Sequence, residues 1–396
     1  MISECLVSAV HAYRSRFGVP PTAAAAAPGR IEVLGNHTDY NGGLVMSAAI
    51  GQVTVVAGAR DDSGAITLLA VDKDDEASFG SNGIQANQYH SWASYLLGVA
   101  HELQKAGIAV GGFRGTVKSD VAIGAGLSSS AALEVATALF LQQLYPFEME
   151  KMDLARLCQR AENHFVGVSS GLLDQFSSMF GAAHSLLYLD CLTLEHGKTT
   201  IPRDDVSLVV CHSMNSHSLT SGHYNERREE CMAAAAHFGK TLLRQVDVEE
   251  FHRRKHELPE NVRKRAEHVI AENGRVVAGR EAAAIGDLHG LGAAMTASHQ
   301  SSRFLFENST PDLDFLVDTA VTLPGCYGAR LTGGGWGGAI VGLVDSSSID
   351  SFRQEISRRF EQHSGKTPKT FVCEIADGAR AVAIPEPVSE ENYGWA

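Results

Sequence analysis

A glycine- and serine-rich run, V-A-I-G-A-G-L-S-S-S-A-A-L-E at 121–134, is the stretch around which the rest of the chain is organised. Gly124 and Gly126 permit a tight turn and a close backbone approach. Ser128, Ser129 and Ser130 bring hydroxyls and amides, and the apolar periodicity of 131–144 predicts a helix that starts at once. A helix N-terminus behind a glycine turn presents unpaired N–H groups and the positive end of the helix dipole, so a phosphate is the ligand such a stretch suits. Two familiar phosphate loops do not match it. No Lys follows the glycines as a Walker loop requires, and Ser129 stands where a dinucleotide fingerprint has its third glycine. A strand-to-helix turn with serine caps explains the same run without a ligand, so the rest of the chain must separate the two readings.

Upstream, Ile2, Leu6, Val10, Tyr13 and Phe17 recur at helical spacing, and Pro20 and Pro21 end that helix. Residues 28–43, P-G-R-I-E-V-L-G-N-H-T-D-Y-N-G-G, read as a short strand and then a loop crowded with Arg30, Glu32, Asn36, His37, Asp39 and Tyr40, followed by a β-rich segment at 44–59. Both charge signs mixed with hydrogen-bonding groups suit a polyhydroxylated ligand; a solvated N-G-G turn is the competing reading. Segment 53–79 alternates like strands, 92–104 has helical spacing, and 112–118 is a strand feeding the glycine run. A helix at 153–165 carries Glu162. The segment G-V-S-S-G-L-L-D-Q-F at 167–176 puts Asp174 in a first helical turn, where the macrodipole alone accounts for an acid by about 0.3–1 kcal/mol.

The polar stretch 195–205 is a candidate domain junction. His212, His217 and His223 lie five and six apart and match no helical ligand pair. Tyr224 stands at the start of a long helix, and Thr310-Pro311-Asp312 opens another with a cap, a first-turn proline and an acid. Near the end, G-A-R-L-T-G-G-G-W-G-G-A-I-V-G-L-V at 328–344 contains the dinucleotide spacing at Gly333, Gly335 and Gly338. Its downstream side is a β-type run where that motif needs a helix, so these glycines are expected to let a backbone pack close beside another loop.

At 396 residues with 44% hydrophobic content, the chain is long enough for two domains. A net charge of −13 opposes a nucleic-acid or anionic-membrane partner, and the basic run 252–256 reads as a solvated helix face. Seven cysteines, far apart and without a C-x-x-C pair, read as reduced thiols in the cytoplasm. The N-terminal pattern is unlike a signal peptide, and no run of about 18 apolar residues predicts a membrane span.

The three ordered motifs P-G-R-I-E-V-L-G-N-H-T-D-Y-N-G-G, G-A-G-L-S-S-S-A-A-L-E and L-T-G-G-G-W-G-G resemble those of the galactokinase branch of the GHMP small-molecule kinases. The segments A-E-N-H-F, G-L-L-D-Q-F and Y-N-E-R-R, beginning at Ala161, Gly171 and Tyr224, extend the resemblance over nearly the whole chain. It implies an α/β plus α+β architecture: an N-terminal α/β domain at 1–200, a C-terminal α+β domain at 201–396, and the active site in the cleft between them. It implies that Gly124, Ala125, Gly126, Leu127, Ser128, Ser129 and Ser130 hold the phosphates of ATP and that Ser130 and Glu162 bind Mg²⁺. Asp174 and Arg30 would be the catalytic pair, and Asn36, His37, Thr38, Asp39, Gly171 and Tyr224 would line the sugar site. The implied reaction is ATP-dependent phosphorylation of the anomeric hydroxyl of a galacto-configured sugar, D-galactose first.

Two positions depart from the family pattern: Asn36 stands where the family has Glu, and Glu32 where it has Asn. That family Glu is associated with the hydroxyl on carbon 6, so Asn36 is expected to be the carbon-6 selector. A Glu there would repel a uronic acid, and its absence opens the alternative of a galacturonate kinase or another carbon-6 variant. From another class, the alternative is a non-catalytic sugar sensor of the same family. The complete 128–132 segment, with Arg30 and Asp174 present, favours the enzyme. The expected partners are a small sugar and ATP, with no nucleic acid and no membrane, in a monomer.

Overall fold

The computed structural model describes residues 2–85, 92–215 and 220–385. The chain opens with helix α1 (Ile2–Phe17), strands β1 (Ala23–Leu34), β2 (Leu44–Arg60), β3 (Ala65–Ala70) and β4 (Asp75–Gly80), helix α2 (Ala93–Lys105) and strand β5 (Phe113–Ser119). Helices α3 (Ser129–Leu144), α4 (Lys151–Arg160) and α5 (Leu173–Phe180) follow, then strands β6 (Ser185–Asp190), β7 (His196–Thr200) and β8 (Val206–His212). Next come helices α6 (Thr220–His237), α7 (Val248–Arg254), α8 (Glu260–Ala284), α9 (Leu288–Ser301) and α10 (Pro311–Ala320). The last described elements are β9 (Cys326–Thr332), β10 (Ala339–Asp345), α11 (Ile349–Ser364), β11 (Lys369–Cys373) and β12 (Arg380–Ala381). Short π-helical turns, Ala161–Val166 and Ser302–Phe306, continue α4 and α9.

The strands form two sheets. The larger runs β12-β1-β2-β5-β3-β4, with β6 on the first residues of β2 and β7 beyond it; β3 and β5 pair in parallel. The smaller, antiparallel sheet runs β11-β8-β10-β9. The polar stretch 195–205 holds β7 and the crossing from one sheet to the other, and β12 returns to pair with β1.

Strand β1 is longer than the short strand read from the sequence, because its alanines belong to it. Ala23, Ala25 and Ala27 face a core shared with α2 to α5, while Ala24 and Ala26 face α1. Alanine is the best helix former, but a strand covered by helices on both faces needs small side chains, and burial overrides propensity here. Arg30 and Glu32, expected in the loop, therefore lie on the strand.

The two sheets are joined by one buried cluster. Ile31, Val33 and Met46 of the larger sheet pack with Val210 and Val341 of the smaller and with Leu291 and Met295 of α9. Each such aliphatic side chain contributes roughly 1.5–3 kcal/mol by burial, so the halves are not loosely tethered. The helix opened by Thr310-Pro311-Asp312 starts as read, with the Thr310 hydroxyl capping the amide of Leu313. All seven cysteines are unpaired, and among the described residues no helix is long and apolar enough to cross a membrane.

Candidate active site

Strand side chains alternate, so Arg30 and Glu32 share the face of β1 opposite Ile31 and Val33. Register shifts on either side of the pair, at 28–30 and 32–34, make two bulges, the usual device by which a strand re-aims side chains beside a site. The Arg30 Nε and Nη2 groups reach Asp174 Oδ1 at 2.7 and 2.6 Å, and its Nη1 donates to the Gly126 carbonyl at 2.5 Å. Asp174 comes from the first turn of α5, and the Ser128 hydroxyl donates to its Oδ2. One guanidinium thus ties β1, α5 and the glycine-serine loop together.

That loop meets the second glycine run face to face. At Gly126, which has a φ of +68°, a Cβ would sit 2.6 Å from the Thr332 carbonyl oxygen; at Gly333 one would sit 3.2 Å from the Gly126 Cα. The run at 333–338 connects β9 to β10 and opens no helix, so its dinucleotide spacing has no dinucleotide context. Ser128 is left-handed at φ 56°, a conformation L-residues seldom adopt, immediately before α3 begins.

Below the Arg30–Asp174 pair lies a cavity of about 300 Å³, the lower end for a ligand pocket. Asp39, Gly171, Tyr224, His37, Asn36 and Glu32 line it, with the backbone of Gly334 and Gly335. Gly171 is there for space, since a Cβ would lie 2.0 Å from the Asp39 carboxylate. Desolvation in the cleft, then the charges of Asp174 and Glu32, lift the Asp39 carboxyl to about 7. His37 has both ring nitrogens occupied, by the Tyr40 hydroxyl at 2.8 Å and the Gly334 carbonyl at 2.9 Å, and stacks on Phe306. Burial lowers it to about 3, so it is a neutral wall of the pocket. Thr38, expected among the sugar ligands, is a correction: it is fully buried, lines no part of this cavity, and its hydroxyl fastens the loop ends at the Gly35 and Leu44 carbonyls.

Asn36 lines the pocket with no capacity to spare. Its Nδ2 donates to Glu32 Oε1 at 3.0 Å and to the Gly333 carbonyl at 2.9 Å, while its Oδ1 accepts from Ser302 at 3.2 Å and Asn308 at 2.8 Å. Two N–H groups and two lone-pair sites are all that a carboxamide has, so the expectation that Asn36 selects at carbon 6 has no free atom behind it. Glu32 faces the pocket. Its Oε1 also accepts from Arg330 at 3.0 Å. Burial raises the Glu32 carboxyl above the ordinary range, against the pull of Arg330, Arg30 and Asn36.

A second cavity, of about 590 Å³, has walls of Trp92, Tyr95, Val117, Ile123 and Leu133 and reaches Ser129 and Ser130 of the loop. Ser130 lies against Glu162, its hydroxyl favouring the charged form of a carboxyl that burial raises, and Glu162 also lines the smaller cavity. Gln175 bridges Glu162 and Glu134 at 3.0 and 2.9 Å. The buried Glu134 Oε1 and Gln175 Oε1 have no hydrogen-bond partner among the described residues, as expected of a site completed from outside. Hard oxygens at Ser130 and Glu162 beside these orphaned atoms fit Mg²⁺, which takes one or two protein ligands and fills its shell with water and phosphate.

Of the three histidines, His212 contacts the Gly124 carbonyl and His223 stacks on Trp336, so these two do not converge; His217 lies outside the described residues. Sequence reading missed Arg330, Glu272 and the apolar walls at Trp92 and Tyr95. Arg330 left one signal, a charge in a strand-like run just before the glycines. Glu272 left none, because on a long, largely polar helix a buried carboxylate reads like an exposed one.

Against known proteins, the profile for the galactokinase galactose-binding signature matches residues 11–60, that for the GHMP kinases N terminal domain matches 94–182, and that for the GHMP kinases C terminal matches 280–362. The galactokinase of Roseiflexus sp. (strain RS-1) is 40% identical across 93% of this chain and 95% of its own length. The Homo sapiens galactokinase is 36% identical across 97% and 98%. Lactococcus lactis galactokinase, solved in complex with galactose, superposes with a TM-score of 0.90 at 30% identity, covering 94% of this chain and 98% of that one. A mevalonate kinase from Methanococcus jannaschii, at TM-score 0.66 and 19% identity, shares the fold.

Proposed function

The chain belongs to the galactokinase family of GHMP kinases, and from that footing we propose that it transfers the γ-phosphoryl group of ATP to the anomeric hydroxyl of D-galactose. One observation carries the reading: the two cavities meet at a polar seam, where Ser130 on the wall of the larger lies against Glu162 on the wall of the smaller, and Ser128 of the same loop holds Asp174. The nucleotide base suits the apolar walls of the larger cavity, and its phosphates suit loop 124–130 at the N-terminus of α3. The sugar suits the smaller cavity, against Asp39, Gly171 and Tyr224, with its anomeric hydroxyl toward Asp174. In this reading residues 1–200 and 201–396 are the two domains that form the cleft.

Phosphoryl transfer is chiefly positioning and charge stabilisation. The anomeric oxygen bonds to the γ-phosphorus as the bond from that phosphorus to the bridging oxygen breaks. The electron pair leaves with ADP, and the hydroxyl proton passes to Asp174. Arg30 adds a fixed positive charge beside the transferring group. Ser130 and Glu162 would hold Mg²⁺, which supplies charge neutralisation on the β- and γ-phosphates. The reading also has the enzyme working as a monomer in the cytoplasm, which seven unpaired cysteines suit.

An ADP-release assay over D-galactose, D-galacturonate and N-acetylgalactosamine tests the proposal, with galactose expected to have the highest kcat/KM. Ligand binding without turnover of any sugar would favour the sensor instead. The carboxylate of Glu32 in the pocket opposes a sugar carboxylate by like charge, which disfavours the galacturonate alternative.

A further inference from the structure

Glu32 has one oxygen without a partner in the best-connected corner of the smaller cavity. Its Oε1 accepts from both Arg330 and Asn36, while its Oε2 makes no hydrogen bond among the described residues, although only 4% of the residue is exposed. Its neighbours cannot serve a ligand in its stead: Asn36 has all four of its bonds inside the protein, and Arg330 is wholly buried away from the cavity. Oε2 is not sealed inside the protein but opens on the cavity, where a ligand donor can reach an acceptor that no protein group occupies. Its place along the strand adds direction. Arg30 and Glu32 are two residues apart on one face of β1, roughly 6–7 Å, and Arg30 carries Asp174. That separation is comparable to the width of one sugar ring.

We propose that Glu32, through Oε2, accepts a hydrogen bond from a hydroxyl at the end of the sugar remote from the anomeric position, on carbon 4 or carbon 6, and that Asn36 serves only to position it. The inference rests on the reading of this cavity as the sugar site. It makes Glu32 the specificity-determining group: a remote hydroxyl is selected by a buried acceptor, and a remote carboxylate is rejected by charge.

The test compares D-galactose, its 4-deoxy and 6-deoxy analogues and D-galacturonate in the wild type, in Glu32→Gln and in the reciprocal double variant E32N/N36E. For Glu32→Gln, kcat/KM for galactose is expected to fall about 10- to 100-fold, mostly through KM, and the penalty is expected to vanish for the one deoxy sugar that lacks the partner hydroxyl. Discrimination against galacturonate should relax in the same variant. An equal penalty on galactose and both deoxy sugars overturns the proposal. Because Glu32→Gln strips Arg330 of its ion-pair partner and the variant can fail to fold, E32N/N36E keeps one carboxylate beside Arg330 while displacing it. Its galactose-to-deoxy-sugar ratio should change at least tenfold, and an unchanged ratio counts against Glu32. Calorimetric binding of the same sugars separates the two readings. Binding that depends on Glu32 without turnover keeps this inference and overturns the kinase; turnover with uniform penalties does the reverse.

Discussion

Asp174 holds three hydrogen bonds, two from Arg30 on Oδ1 and one from Ser128 on Oδ2, so its orientation is set by the protein and only its protonation remains to be used. Asp174→Asn keeps the shape and removes the proton acceptor. Its kcat is expected to fall by about 10²–10⁴-fold while the affinity for a non-hydrolysable ATP analogue stays unchanged, measured by steady-state kinetics and calorimetry. A near-wild-type kcat takes Asp174 out of the mechanism. Asp39 gives a pH signature. Its carboxyl, lifted to about 7 by desolvation and then by Asp174 and Glu32, is charged only above that pH. If sugar hydroxyls donate to the charged form, kcat/KM for the sugar, which reports the free enzyme, rises between about pH 6 and 8 and then levels. A flat profile across that range excludes Asp39 ionisation from sugar binding. At this scale the sequence showed which residue types gather but not which atoms remain free: Asp174 and Asp39 kept free capacity, while His37, Thr38 and Asn36 were consumed by neighbours.

The glycine-serine loop is shaped as much by the loop it faces as by its own residues. Gly126→Ala puts a methyl group 2.6 Å from the Thr332 carbonyl in a left-handed backbone, strain of about 1–3 kcal/mol. The expected result is a lower melting temperature together with reduced kcat, because Gly126 also carries the carbonyl that holds Arg30. A variant with lowered kcat and an unchanged melting temperature would mean the loop contact is not structural. Both glycine runs were legible as close-packing or phosphate-approach sites, since positive φ and a missing Cβ are local demands. The β1 alanines were less so. Their preference for helix is local too, and it lost to a condition that no window around 23–27 records, helices on both faces of the strand.

Across the whole molecule, the loop that follows β1 of the larger sheet is held by α8. Glu272 accepts the backbone amides of Gly35 and Asn36 at 3.0 and 3.3 Å and the Ser298 hydroxyl at 2.6 Å, and it pairs with Arg275. Burial is the largest influence and would raise its carboxyl, but Arg275, His268, Arg330 and the Ser298 hydroxyl together outweigh it and hold the carboxyl at about 2. A depressed carboxyl contributes stability that is fully present above its unfolded value near 4.5 and is lost as pH falls toward about 2. Glu272→Gln should therefore cost about 3 kcal/mol at pH 7, at the low end for a buried pair because Arg275 keeps some solvent. Denaturation across pH checks it: the deficit should narrow below about pH 4.5, and a deficit independent of pH excludes the charge as its origin. The sequence by itself determined the family, the paired glycine loops and the two-part architecture, and it singled out Arg30 and Asp174, which the fold pairs, because motif spacing and backbone demands are local. Only the tertiary structure decided which polar atoms are left for a ligand. Hydrogen-bond capacity is finite, and three of the four partners that fill Asn36, together with the Arg330 that occupies one oxygen of Glu32 and leaves the other open, lie 266 to 298 positions away in the chain.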